Sequence, residues 1–184
     1  MTVTLAEQID AILPQTQCTR CGYSGCKPYA QAIADGSALP DRCPPGGTPV
    51  ALALANLLNA PVRPINPEVG AESPPLVAVI DETICIGCAK CLPACPVDAI
   101  VGARKRLHTV IADDCSGCEL CLPPCPVDCI TLVPAGIEPL GEALLQSRAR
   151  LFRQRYEAHT EREARRDNER KERLNARSLR QEPA

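Results

Sequence analysis

The sequence predicts an α+β protein in three parts: a small helical unit, a unit of short antiparallel strands, and a long charged C-terminal helix. Three observations predict it. Apolar residues recur at helical spacing between residues 4 and 59, short apolar runs flank two copies of one cysteine pattern between residues 76 and 133, and Arg and Glu dominate the chain after Tyr156. At 184 residues the chain suits one domain or two small ones.

Taken in order, Thr4 to Leu13 reads as a short helix. Thr4 and Glu7 fit a capping box, Leu5, Ile9, Ile12 and Leu13 share one face, and Pro14 stops it. PYAQAIADG predicts a second helix from Pro28 to Gly36, and a third runs from Pro49 to Asn59 with Thr48 as its cap. Residues 60–75 hold five prolines and no period, which marks a linker. Beyond it, LVAVI (76–80) and ITLV (130–133) suit strands, while AIV (99–101) and HTVI (108–111) make a hairpin across the basic turn Ala103–Leu107. From Pro139 the pattern turns helical, with Leu140, Leu144, Leu151, Phe152 and Tyr156 available to pack on the body. After Tyr156 the pairs Glu161–Arg165, Asp167–Lys171 and Glu169–Arg173 stand at i,i+4, the pattern of a solvated helix or arm. The expected division is 1–60, a linker at 61–75, 76–135, and a charged tail at 136–184.

Composition narrows what such a chain can be. Aromatics are 2% of residues and Trp is absent, whereas there are 19 prolines and 13 cysteines. A small chain with few large apolar side chains needs covalent or metal cross-links to fold. The opening MTVTLAEQIDAILPQTQ has no basic start, long apolar run or cleavage site, and no later segment is apolar enough for a membrane span. The expected location is therefore the cytoplasm, where clustered cysteines bind metal or do redox chemistry. An odd cysteine count also fits poorly with complete disulfide pairing. Residues 1–147 carry 8 Lys+Arg against 15 Asp+Glu, and residues 148–184 carry 12 against 7, so an acidic body bears a basic tail.

The cysteines carry the chemistry. CIGCAKCLPACPVDAI (from Cys85) and CSGCELCLPPCPVDCI (from Cys115) each read C-x2-C-x2-C-x3-C-P. Three thiolates so spaced wrap a tight loop around three irons of a cuboidal cluster, and the fourth, followed by Pro96 or Pro126, serves the other cluster. Cluster one then takes Cys85, Cys88, Cys91 and Cys125; cluster two takes Cys115, Cys118, Cys121 and Cys95. Zinc is the bland alternative for paired C-x2-C, although the third cysteine and the trailing proline, both present twice, disfavour it.

Residues 81–133 resemble a bacterial-type dicluster ferredoxin with two [4Fe-4S] clusters. QTQCTRCGYSGCKPYAQAIADG followed by CPPGG, together with RLHTVIADDCSGCELCLPPCPVDCI, resembles the B subunit of the Rnf-type (Rsx) electron transport complex over about residues 5–135. The resemblance implies a further [4Fe-4S] cluster on Cys18, Cys21, Cys26 and Cys43, hence three clusters in all; zinc is again the rival there. It also implies one-electron transfer among redox partners: other subunits of a membrane-bound oxidoreductase, or a soluble ferredoxin or flavoprotein. The family's hydrophobic membrane helix has no counterpart in this sequence, so membrane association is expected only through partners, peripheral to the cytoplasmic side of the inner membrane.

Other residues have bland readings. Cys129, where the first repeat has Ala99, is surplus to eight ligands and reads as a small buried residue beside the second cluster; the sharper reading is that it tunes a cluster's potential through burial or a weak S–H contact. His108 reads as a strand residue following the basic turn, and Tyr23 and Tyr29 as covers over the first cysteine group. No catalytic set or phosphate loop is present, and no site for an organic substrate is evident. Acidic residues interspersed in the tail argue against a nucleic-acid arm. Two rival readings remain, a redox-sensing regulator working through its tail and a stand-alone ferredoxin. The electron-carrier reading expects deletion of residues 148–184 to leave cluster-to-cluster transfer intact, whereas the regulator loses its binding.

Overall fold

The computed structural model describes residues 3–136 and 142–178. Its first helix, α1 (Leu5–Ile12), begins with the capping box: the Glu7 N–H donates to Thr4 Oγ1 at 3.3 Å and the Thr4 N–H donates to the Glu7 carboxylate at 2.7 Å. Ile9 and Leu13 are fully buried, but Leu5 is 41% exposed, so the apolar face is narrower than the pattern suggests. Helix α2 (Cys26–Ala34) starts two residues ahead of Pro28, which puts Cys26 in its first turn. Helix α3 (Gly47–Leu58) also starts early. Thr48 does not cap it; its N–H and hydroxyl both donate to Glu72, at 3.0 and 2.9 Å. Tyr29, Ile33, Val50 and Leu54 complete a core around Ile9 and Leu13.

The connecting residues are largely exposed but anchored. Asn66 N–H reaches the Asp41 carbonyl at 2.8 Å, and Arg20 reaches Ser73 at 3.4 Å around a short 3-10 turn, Pro67–Val69.

A second core holds four short strands: β1 (Leu76–Ile80), β2 (Ile100–Val101), β3 (Thr109–Val110) and β4 (Ile130–Pro134). β2 and β3 form the expected hairpin, while β1 pairs antiparallel with β4, Ile80 facing Ile130 and Leu76 facing Pro134. The strand entering the first repeat is thus bonded to the strand leaving the second, as a two-fold relation between the repeats requires. Backbone geometry repeats at the same offset. φ is +66° and +68° at Gly87 and Gly117, +63° and +68° at Ala89 and Glu119, and +50° and +49° at Asp98 and Asp128. A Cβ at Gly87 would lie 2.6 Å from the Arg106 carbonyl oxygen, and one at Gly117 would overlap the Leu76 carbonyl, so both turns need glycine.

The long helix α4 (Glu142–Ser178) departs from expectation. Leu140 lies outside the described residues. Leu144 and Leu151 are 48% and 38% exposed; of the expected residues Phe152 is buried, inside the strand-bearing core, and Ala149 is buried beside it. Ion pairs extend that contact: Arg153 with Asp10 on α1 at 2.9 Å, Arg155 with Asp114, and both His159 and Arg162 with Asp98. The helix therefore binds both cores and becomes a solvated arm only after Glu163. Along that arm Glu169–Arg173 pairs as expected, and Arg166–Glu163 and Arg170–Asp167 pair at i,i+3. A deletion from residue 148 would remove Phe152 from a core, so a deletion that spares the body must begin beyond Glu163.

Asp98 is the two-sided anchor of α4. Although burial pushes its carboxyl up, hydrogen bonds from His159 and Arg162 prevail and hold it below the ordinary 3.8. Its stabilising contribution is present above pH 3.8 and lost as the pH falls through the depressed value. Asp98→Asn keeps a residue that tolerates positive φ but removes the charge. It should cost about 1 kcal/mol and speed amide hydrogen exchange in residues 149–163 at neutral pH, with little further effect of acidification.

Candidate metal centres

All thirteen cysteines are free thiols. The structure gathers them around three small cavities, four at each of two and five at the third. Cys18, Cys21, Cys26 and Cys43 line one, together with Leu13, Tyr29 and Pro44. Cys95, Cys115, Cys118 and Cys121 line another. Cys85, Cys88, Cys91, Cys125 and Cys129 line the third. The last cysteine of each repeat thus faces the cavity of the other.

Local chain geometry produces each group. In the repeats, the left-handed turns at Gly87 and Ala89, and at Gly117 and Glu119, curl three thiols around one side of the cavity. Backbone N–H groups point at sulfur: Ala99 to Cys95 at 3.2 Å and Ala78 to Cys115 at 3.5 Å. In the N-terminal group, left-handed residues at Gln15, Gln17 and Thr19 shape the loop. Gln17, 4% exposed, accepts from the Cys26 N–H at 2.9 Å and donates to Gln15 at 2.9 Å; Gln15 in turn donates to the Asp10 carbonyl at 2.7 Å. In the sequence this amide relay is signalled only by the polar QTQ beside the first cysteine. Tyr29 lines the cavity and is fixed by donating to the Leu39 carbonyl at 2.8 Å, whereas Tyr23 stands off it, 5.3 Å away ring to ring.

Two other expectations change. Cys129 lies against the Cys85–Cys125 cavity, not beside the second group, with its sulfur 3.5 Å from Cys125 Sγ. His108 is 2% exposed, ahead of β3, and faces the same cavity with Nδ1 3.6 Å from Cys85 Sγ; Arg104, Lys105 and Arg106 are left as an exposed turn.

The donor set fits cuboidal iron–sulfur clusters: at each site at least four thiols line a cavity with otherwise largely apolar surroundings, and thiolate sulfur is the donor such clusters take. Electrostatics agrees with a need for cations. Burial pushes the Cys26 thiol up to about 12, Cys121 to about 12 and Cys118 to about 11, and drives Cys43 well above the thiol range. Cys125 differs: burial raises it, but N–H groups of Val127 and Cys129 and the Cys129 thiol outweigh that and lower it. Loading these sites with metal must therefore displace protons from buried thiols.

The Thr16 carbonyl links the first two sites. It accepts a hydrogen bond at 3.1 Å from Ser116, and Thr16 lines the N-terminal cavity while Ser116 lines the Cys95–Cys121 cavity. Arg20 and Glu119, 3.7 Å apart, reinforce this junction.

Two stretches of the chain match known families. Residues 78–132 match the family model "4Fe-4S dicluster domain" and residues 13–45 match "Putative Fe-S cluster". The chain is 56% identical over 135 residues to the B subunit of the ion-translocating oxidoreductase complex of Alkalilimnicola ehrlichii, a match covering 73% of each chain. It is 61% identical over 107 residues to the protein of that name from Azoarcus sp. (58% of each chain), and 57% identical over 109 residues to that from Serratia proteamaculans (59% of this chain, 57% of the relative). Against these two the chain spans little more than half of the relative's length. No solved structure matches it.

Two outcomes test the site geometry. Gln17→Ala leaves the Cys26 N–H without its acceptor and should destabilise the N-terminal unit by about 1–3 kcal/mol, read as a lower denaturation midpoint for that unit. In the metal-free chain, neutral Cys26 is stabilising below the ordinary thiol value of 9.0, and that contribution is lost as pH rises through about 12. Thermal melts after chelation should therefore fall with alkalinity across that window.

Proposed function

The chain belongs to the family of ion-translocating oxidoreductase complex B subunits, and we propose that it passes single electrons along three [4Fe-4S] sites. The observation that carries the proposal is the serial arrangement: three thiol-lined cavities, the first joined to the second through Thr16 and Ser116, and the second cross-linked to the third by exchanged cysteines. Cys18, Cys21, Cys26 and Cys43 hold the first cluster, Cys115, Cys118, Cys121 and Cys95 the second, and Cys85, Cys88, Cys91 and Cys125 the third. Each bound cluster supplies one-electron redox chemistry without making or breaking a bond in a substrate.

The protein's part is to fix spacing, exclude water and set the charge around each site. Leu13 and Tyr29 wall the first cavity with apolar surface, and Val97, Ile100 and Val110 wall the second. The division into residues 1–60, a linker at 61–75, a dicluster unit at 76–135 and a tail from 136 serves this relay, each of the two units carrying its own core.

The relatives' name speaks of an oxidoreductase complex that translocates ions. For this chain the corresponding partners are other subunits of such a complex, with a soluble ferredoxin or flavoprotein as electron donor or acceptor. The acidic body, 15 Asp+Glu against 8 Lys+Arg in residues 1–147, suits docking to basic partner surfaces. No helix among the described residues is long and apolar enough to cross a membrane.

Iron and acid-labile sulfide analysis of anaerobically purified protein, with EPR of the reduced form, tests the reading. On the order of twelve irons and twelve sulfides per chain are expected, with interacting reduced-cluster signals. About one zinc per four cysteines and no cluster signal would overturn it. Truncation after Glu163 should leave iron content and EPR unchanged.

A further inference from the structure

The two repeats match position for position at an offset of thirty residues, which makes their differences informative. At the Cys95–Cys121 cavity, two lining positions are Ala78 and Ala99. Their counterparts at the Cys85–Cys125 cavity are His108 and Cys129. Both alanines contribute a backbone N–H to sulfur and nothing further, at 3.5 Å to Cys115 and 3.2 Å to Cys95. Cys125 likewise receives backbone N–H groups from Val127 and Cys129. The side chains make the difference. Cys129 Sγ lies 3.5 Å from Cys125 Sγ, and His108 Nδ1 lies 3.6 Å from Cys85 Sγ.

Proton placement follows from the chemistry of the pairs. An iron-bound thiolate has no proton, so Cys125 and Cys85 only accept, and the protons sit on Cys129 Sγ and His108 Nδ1. His108 is 2% exposed, and its Nε2 is buried with no hydrogen-bond partner among the described residues. The ring's polar contact is therefore the one toward Cys85. Its fit is close: a Cβ at Gly102 would overlap the imidazole, so the absence of a side chain there admits the ring. Both groups are positioned by packing, and the polar side-chain contacts they make are toward ligand sulfurs.

We infer that His108 and Cys129 are positioning residues that make the two dicluster sites inequivalent, so that the Cys85, Cys88, Cys91, Cys125 site is the more easily reduced. Resting on the proposed electron-transfer reading, the inference gives the relay an internal direction. Donors to ligand sulfur withdraw negative charge from it and favour the state with one more electron. Loop charge acts the same way: the Cys85 loop carries Lys90, whereas the Cys115 loop carries Glu119. In the transfer, iron at the Cys95–Cys121 site is oxidised by one electron and iron at the Cys85–Cys125 site is reduced by one, with no proton moved. The Thr16–Ser116 bond places the N-terminal site next to the former, so the low-energy resting place of the electron is at the opposite end of the series.

The test is an anaerobic potentiometric titration of the full chain with dithionite, followed by EPR, with iron and sulfide measured on the same samples. Two dicluster potentials separated by at least about 59 mV, a tenfold preference for a one-electron couple, are expected. Cys129→Ala and His108→Ala should each lower the upper potential by about a factor of ten in that equilibrium and leave the lower one in place. Cys129→Ser, which keeps a donor, should restore it. Ala99→Cys, which introduces the thiol at the other site, should raise the lower potential and provides the readout where an alanine variant folds poorly. Unchanged potentials in these iron-replete variants, equal shifts at both sites, or loss of iron from Cys129→Ala with Cys129→Ser intact would overturn the inference. Wild-type protein lacking iron and sulfide would instead overturn the electron-transfer reading itself.

Discussion

Each repeat places its fourth cysteine in the cavity of the other, and the architecture of the strand-bearing unit depends on that exchange. Cys95 leaves its own loop to join Cys115, Cys118 and Cys121, and Cys125 crosses in the opposite direction. Neither half completes a four-thiol group alone, so the halves must be held face to face. The pairing of β1 with β4 and of β2 with β3 provides that closure, and matched left-handed turns at Gly87 and Gly117 shape the two loops identically. In a chain with one Phe, three Tyr and no Trp, apolar burial cannot supply this cohesion by itself. On the proposed electron-transfer reading, metal–thiolate bonds at the cavities would supply the remainder.

Around this centre the chain uses polar contacts to set position. The buried Gln17–Gln15 relay fixes the first loop against α1, and Ser116 joins the two units at the Thr16 carbonyl. Helix α4 then spans both units with Phe152 in one core and Arg153 on Asp10 of the other. A helix so rich in Arg and Glu looks solvated in isolation. Its first half is a strap because the acidic partners Asp10, Asp98 and Asp114 come from three separate places in the sequence.

The near-symmetry of the dicluster unit makes its exceptions meaningful. Two alanines on one side become a histidine and a cysteine on the other, both aimed at ligand sulfur. Identical sites would share an electron equally. Two added donors at one site bias where it rests, without altering the fold that holds the iron.

Much was legible in the sequence because it depends on local chemistry. The Thr4–Glu7 capping box, the hairpin of β2 and β3, and the doubled cysteine spacing are written in residues near one another, and periodicity or ligand geometry reads them directly. The spacing also indicated which cysteines should meet, since a proline after the fourth turns it away from its own loop. Tertiary structure alone decided the rest. Leu5, Leu144 and Leu151 match a helical apolar face but lie exposed, because burial depends on what packs opposite. Which cavity Cys129 lines, that His108 turns inward, and that α4 clamps both units are set by contacts between residues far apart in the chain, Asp98 and Arg162 among them. Sequence specified the cysteines and their local turns; the pseudo-two-fold closure decided which neighbours each cysteine would have, because such neighbours exist only once the two repeats are brought together in space.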